Sequence, residues 1–274
     1  MSRYFLEDKE PFYIPMEIVH VLPFTNSKKR VKDYDRELEA AGWGSVKVKA
    51  SEELNSYDAK VFMAVAKLIY DKYCEDDTIK KKIEEKSAYP NEKYYVPIEI
   101  TAYKFLKHYM HLNPQQYKHG QRVWDSLIRL SGSTWEFTKH GITLTVIQRV
   151  EKQEGKKLVW VIYVGSDYLE KIYLYERGND KKAILRLYNK YIQMLKGNTA
   201  ILLCIFLQGQ LKRNSFRFDV LKKVLHLEED NHGIALRNIK RAFNELKRIG
   251  FISDWEGPEK PSSKNTFFRY TLNI

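Results

Sequence analysis

The chain has 274 residues, 43% of them apolar, and carries 47 Lys and Arg against 35 Asp and Glu for a net charge of +12. That size fits one or two domains with real cores, and the cationic surplus favours a polyanionic partner, nucleic acid being the usual one, provided the charge gathers on one face. The opening MSRYFLEDKE is charged from its third residue, unlike a secretory signal, and the longest apolar run, TAILLCIFL, is far below the about 20 residues a membrane span needs, so a soluble, cytoplasmic protein is expected with no membrane partner.

In chain order, YIPMEIVHVLPF (13–24) and SVKVKA (45–50) read as short strands flanking the charged NSKKRVKDYDRELEAAG. SEELNSYDAKVFMAVAKLIYDKY (51–73) reads as a long helix with Leu54, Val61, Val65, Leu68 and Ile69 on one side. The charge-dense CEDDTIKKKIEEKSAYPNEK that follows is expected to be a solvated loop or mobile helix. YYVPIEI is a short strand, and TAYKFLKHYMHL a short helix capped by Thr101. NPQQYKHGQRVWDSLIRLSG is a longer helix with Asn113 as cap, Pro114 in its first position and Gly132 as its stop. The β-branched and aromatic alternation of residues 133–150 and 156–165 predicts two or three antiparallel strands.

After the polar YERGNDKKA the same order returns. KGNTAILLCIFLQGQ is an apolar helix, SFRF a strand and DVLKKVLHLEED a helix capped by Asp219. GIALRNIKRAFNELKRIG is a longer helix stopped by Gly250, and FISDWE with TFFRYTLNI forms a closing hairpin. Each half therefore reads helix, strand, helix, helix, hairpin. The gaps of four, three and five between Val123, Leu127, Leu130 and Trp135 recur 116 residues later in Ile239, Phe243, Leu246 and Phe251. Domain boundaries are expected at 1–172 and 183–274.

The last long helix is sharply two-faced. At 100° per residue Leu236, Ile239, Phe243 and Leu246 share one arc, while Arg237, Arg241, Asn244 and Arg248 fall within roughly 60° of one another on the other side. Lys240 and Lys247 flank this stripe, and its one acid, Glu245, lies off it. An ordinary solvent face mixes signs to gain i,i+4 pairs, whereas stacked guanidinium groups repel unless an anion sits opposite. Arginine grips guanine O6 and N7 with two hydrogen bonds, and asparagine does the same for adenine N6 and N7. The tip GPEKPSSKN places Lys260 and Lys264 for phosphate or the minor groove. Helix, helix, then hairpin is a winged helix: greasy side on the core, arginine side toward bases, hairpin as wing. The matching helix of the first half buries Tyr117, Gly120, Val123, Trp124, Leu127 and Leu130, with Lys118, Arg122, Asp125 and Arg129 opposite and Gln115 nearby. Asp125 dilutes its charge, so DNA-backbone contact and a protein interface both stay open.

Catalytic chemistry is not expected. No G-x-x-x-x-G-K occurs, and His108 and His111 lack both the alternation of a nicking-enzyme metal motif and a third ligand, so neither metal nor cofactor is assigned. Cys74 and Cys204, far apart and each in an apolar run, read as reduced core residues.

ELNSYDAKVFMAVAKL, WDSLIRLSGSTWEF with its following strands, and RNIKRAFNELKRIGFISDWE together resemble the iteron-binding plasmid replication initiators. The likeness is to the TrfA-like branch, with its Leu-x-x-Tyr/Phe-Asp entry to the first core helix and its Gly-Phe-Ile-x-x-Trp-Glu turn into the last hairpin. It covers roughly residues 45–274. The resemblance implies an α+β fold of two tandem winged-helix domains, each a helical core with an antiparallel β-hairpin wing. It implies binding to double-stranded DNA as tandem direct repeats at an origin, and opening of a nearby AT-rich region. It also implies recruitment of the host initiator and replicative helicase, and a dimer that represses the protein's own gene. By position, base reading falls on Arg237, Arg241, Asn244 and Arg248, and backbone contact on Lys118, Arg122 and Arg129. The long charged 75–94 segment departs from the family, and no sliding-clamp motif is visible. The rival expectation is a winged-helix transcriptional repressor without an initiator role.

Overall fold

The computed structural model describes residues 11–27, 29–40, 44–87, 93–139, 141–155, 157–177, 184–227, 231–260 and 266–273. Strand β1 (Phe12–Pro15) passes directly into the short helix α1 (Met16–His20). The expected strand over 13–24 is thus cut short, because Ile18, Val19, Val21 and Leu22 are all buried and offer no alternation for a half-exposed strand. The charged stretch after it is not a connector. Residues 32–40 form β2 (Lys32–Ala40), paired antiparallel with β3 (Gly44–Glu52) from Lys32↔Glu52 to Ala40↔Gly44. Tyr34 and Leu38 alternate with charged residues along it, and that period of two outweighs the charge density.

Helix α2 (Ser56–Glu75) begins with a capping box: Asn55 Oδ1 accepts from the Tyr57 and Asp58 amides, and Asp58 accepts from the Asn55 amide. Its residues are buried nearly all round, so α2 is a central helix rather than a one-sided one. Helix α3 (Asp77–Ser87) occupies most of the charge-dense stretch, seated by Ile79 and Ile83 at i,i+4, while residues 88–92 lie outside the described residues. Strand β4 (Tyr95–Thr101) leads to α4 (Ala102–Lys104), capped by Thr101 Oγ1 on the Lys104 amide and widening into a π turn over Phe105–Tyr109. Helix α5 (Tyr117–Leu130) starts later than expected. Asn113 bonds the Gln115 amide in a turn ahead of the helix instead of capping it, and Gly132 at φ +72° ends the segment. The Tyr117 side chain lies outside the described residues.

Four strands follow where two or three were expected: β5 (Thr134–Phe137), β6 (Ile142–Leu144), β7 (Ile147–Gln153) and β8 (Val159–Gly165). They divide between two sheets, β2-β3-β5-β6 and β4-β8-β7. An unanticipated helix, α6 (Ser166–Glu176), then buries Tyr168, Leu169 and Ile172. Residues 178–183 of the polar linker lie outside the described residues. Strand β9 (Ile184–Leu187) pairs back onto β1 across the expected domain boundary. The second half runs α7 (Asn189–Met194), α8 (Asn198–Gln208), β10 (Ser215–Arg217), α9 (Phe218–Val224), α10 (His232–Arg248), β11 (Ile252–Glu256) and β12 (Phe267–Leu272). Asp219 does not cap α9 but pairs with Arg217.

The repeat is visible in the sheets. The first half's β4-β8-β7 and the second half's β10-β12-β11 share one strand order, each with a bulge at the start of the hairpin, Ile147/Arg149 in one and Ile252/Asp254 in the other. The offset between halves is 116 from Val123 to Ile239 but 105 from Ile147 to Ile252, because β5 and β6 are inserted between α5 and β7. Trp135 consequently sits in β5, in a different sheet from the hairpin that Phe251 opens. It packs edge-on to Phe24 and Phe62 at 5.6 and 5.0 Å.

The two halves meet through α2. Lys60 Nζ donates to the carbonyls of Gln193 and Leu195, both at 2.9 Å, and Gln193 Nε2 donates back to the Lys60 carbonyl. Burial, reinforced by the neighbouring Arg122 charge and opposed by Glu245, pushes the Lys60 ammonium down to about 8. Its folded value lies below its unfolded one, so between pH 8 and about 10 the unfolded chain binds more protons and stability rises with pH. Lys60→Met should abolish this rise, read as the difference between the unfolding free energies of the two proteins across that window. An identical pH dependence would place the ammonium in water. Cys204 is buried as expected, but Cys74 is exposed: α2 turns it outward at its last turn beside buried Tyr73.

Candidate nucleic-acid interface

Helix α10 carries the expected stripe. Asn231 Oδ1 caps it on the Gly233 amide at 2.8 Å, and Gly250 at φ +76° ends it. Ala235, Leu236, Ile239, Ala242, Phe243 and Leu246 are buried, and Phe243 anchors the helix on the hairpin. Its ring stacks on Phe268 at 5.1 Å and on Trp255 at 5.3 Å. Opposite, Arg237, Arg241, Asn244, Lys247 and Arg248 are exposed and Lys240 is half-buried. From Arg237 to Arg248 the stripe is roughly 16 Å long.

The state of each group follows from its neighbours. Among the described residues no carboxylate pairs with Arg237, Lys240 or Arg241. Lys247 bonds Asp254 of the hairpin at 2.7 Å, and Asn244 accepts from the Trp255 indole at 3.1 Å. The single acid, Glu245, faces inward: its carboxylate accepts from the Lys196 and Gly197 amides just before α8, with Arg248 at a distant 3.8 Å. The acid on this helix is therefore used to fasten it to α8. Lys260 is exposed beyond β11, and Lys264 lies outside the described residues.

The first-half helix is different. Lys118 is exposed, and the Arg122 guanidinium stacks over the Tyr57 ring at 3.8 Å. Asp125 accepts from Gln121. Arg129 is not an outward cation. Its Nε and Nη2 both donate to Asp58 Oδ1, at 3.2 and 3.0 Å, and its side chain is 15% exposed. Arg129 occupies the position of Glu245, 116 residues on, and does the same job of fastening its helix to the start of the preceding core helix with opposite charge.

Beside Arg241 opens a cleft of about 760 Å³ lined also by Asn238, Asn26, Ser27, Lys29 and Thr199. Sequence reasoning had no means of finding Asn26, Ser27 and Lys29 there, since they lie some 200 positions from α10. Among the described residues no three His, Cys, Asp or Glu side chains gather to hold a metal. His108 is in the π turn and His111 beyond it at φ +51°, so they share no regular helix face. Nor is any described helix long and apolar enough to cross a membrane.

A search of solved structures finds a Pi initiator protein in complex with iteron DNA, matched over 97% of this chain and 99% of its own, with a TM-score of 0.56 and 12% identity. The fold is similar to that of the Pi initiator. A match over 97% of this chain takes in most of both halves, so the likeness to the Pi initiator is one of overall architecture. No protein-family model and no curated protein matches the sequence. At 12% identity the shared architecture with the Pi initiator leaves the α10 side chains to be argued on their own chemistry.

Proposed function

We propose that this protein is a sequence-specific double-stranded DNA binder that initiates plasmid replication from direct repeats, built as two tandem winged helices and without enzymatic activity. The observation that carries this reading is the run Arg237, Lys240 and Arg241 along α10, with which no described carboxylate pairs, on a fold similar to an initiator solved on iteron DNA. In this reading α10 lies in the major groove, a fit that an α-helix makes with B-DNA, and the β11–β12 hairpin is the wing. Arg237, Arg241, Asn244 and Arg248 read base edges, Lys240, Lys247 and Lys260 meet phosphate, and Lys118 and Arg122 of the first half contact backbone. Arg129, held by Asp58, orients α5 instead of touching DNA. Recruitment of the host initiator and helicase, and a repressing homodimer, complete the proposal.

The test is binding of the full chain to a duplex bearing the direct repeats beside its own gene and to a scrambled duplex of equal length. Preference for the repeats supports the reading, and equal affinity for both refutes it. A repeat array next to an AT-rich tract favours the initiator, and a single inverted repeat favours a repressor alone. Lys260→Ala should weaken binding to both duplexes alike and lower the salt slope by about one phosphate, read from affinity against salt concentration.

A further inference from the structure

Trp255 stands at an unusual register. The bulge at Ile252/Asp254 places one extra residue in β11, so Trp255 follows Ile252 onto the α10 side at a spacing of three instead of two. There its ring packs on Phe243 at 5.3 Å and on Phe268 at 6.1 Å, with interplanar angles of 25° and 26°. This fixes the indole as a rigid body. Its Nε1 comes to rest 3.1 Å from Asn244 Oδ1.

An indole N–H only donates, so the atom of the Asn244 amide facing it must be the oxygen. The amide of an exposed asparagine on a free helix face turns over at little cost, because water serves either end equally. Here one end is taken. The two Nδ2 hydrogens are left for another acceptor, on a side chain that shares the exposed face of Arg237, Arg241 and Arg248.

We infer that Trp255 is a specificity-determining residue that acts through Asn244, holding its amide in one orientation so that Nδ2 donates to a purine N7 in the major groove. The inference rests on the DNA-reading function proposed above and deepens it. Donors alone would accept any acceptor edge. The carboxamide oxygen keeps a second lone pair, however, and this is open to the N6 amino group of adenine. Adenine is thereby favoured over guanine, whose O6 meets the oxygen as acceptor against acceptor. Without the indole the amide still reaches adenine with both bonds in one of its two orientations, so the indole sharpens this discrimination by removing the other orientation.

Trp255→Phe separates the two roles of the side chain, keeping an aromatic ring against Phe243 while removing the N–H. The full chain first enriches duplexes from a random pool of about 20 base pairs, on the order of two turns. Wild type, Trp255→Phe, Asn244→Ala and the double variant are then measured on every single-base-pair change in the enriched site. Asn244→Ala is expected to flatten the preference at one or two adjacent pairs. Trp255→Phe should flatten the same pairs by roughly 2- to 10-fold, the worth of one hydrogen bond, and add nothing to Asn244→Ala in the double variant. In the free protein, Asn244→Ala should also shift the Trp255 Nε1–H proton resonance while Arg237→Ala leaves it in place. A profile that Trp255→Phe leaves intact, or lowers uniformly at all pairs, overturns the inference alone. A wild-type chain that enriches no sequence overturns the DNA-reading function, and the inference with it.

Discussion

Replacing Asp58 by alanine is expected to lower the stability of the fold by about 3–5 kcal/mol, the range for stripping one partner from a buried ion pair. The carboxylate is fully buried at the third residue of α2. Its Oδ2 accepts from Arg30 and from the Asn55 amide, and its Oδ1 from Ser126 and from two nitrogens of Arg129. Alanine removes a helix cap and leaves two guanidinium groups in low dielectric without a counter-charge. Denaturant unfolding should show a lower midpoint with an unchanged slope, since no surface is newly exposed. Adding Arg129→Met to Asp58→Ala should recover part of the loss, because the stranded charge goes while the hydrophobic stem is replaced. A loss of only about 1 kcal/mol would mean that the cap alone matters and that water reaches both arginines.

That network explains where the sequence was readable and where it was not. Helix α10 and its hairpin were legible because the forces shaping them are local: a 3.6-residue period, a terminal glycine and an alternating hairpin. Arg129 was misplaced because its partner lies 71 residues away, and from spacing alone it continues the row of Lys118 and Arg122. Glu245 was correctly set off its stripe, but its purpose was hidden for the same reason, since it caps amides 48 and 49 residues upstream. The β2 strand was hidden differently. Six of the nine residues in KDYDRELEA are charged, and only the placement of Tyr34 and Leu38 betrays the alternation. The bulge that aims Trp255 leaves a trace, the spacing of three between Ile252 and Trp255, which breaks strand alternation and marks the place where the hairpin is bent toward α10.

Arg241→Ala is expected to leave the free protein's stability within about 0.5 kcal/mol, because the side chain is exposed and no described carboxylate depends on it. On the preferred duplex the same change should lose roughly 1–3 kcal/mol of binding, the worth of a bidentate base contact, and relax the preference at one base pair. On a scrambled duplex it should lose no more than the charge contact that Lys260→Ala also loses. The comparison decides between two physical pictures of the stripe. If arginines on α10 act only as charge, then Arg241 and Lys260 are interchangeable, both losses are the same on every sequence, and both vanish together as salt is raised. If Arg241 meets a base edge, its loss on the preferred duplex persists at high salt, because a paired hydrogen bond inside the groove is not released by counterions. Measuring the two variants on the two duplexes at low and high salt therefore tests the role of α10 without requiring a structure of the complex.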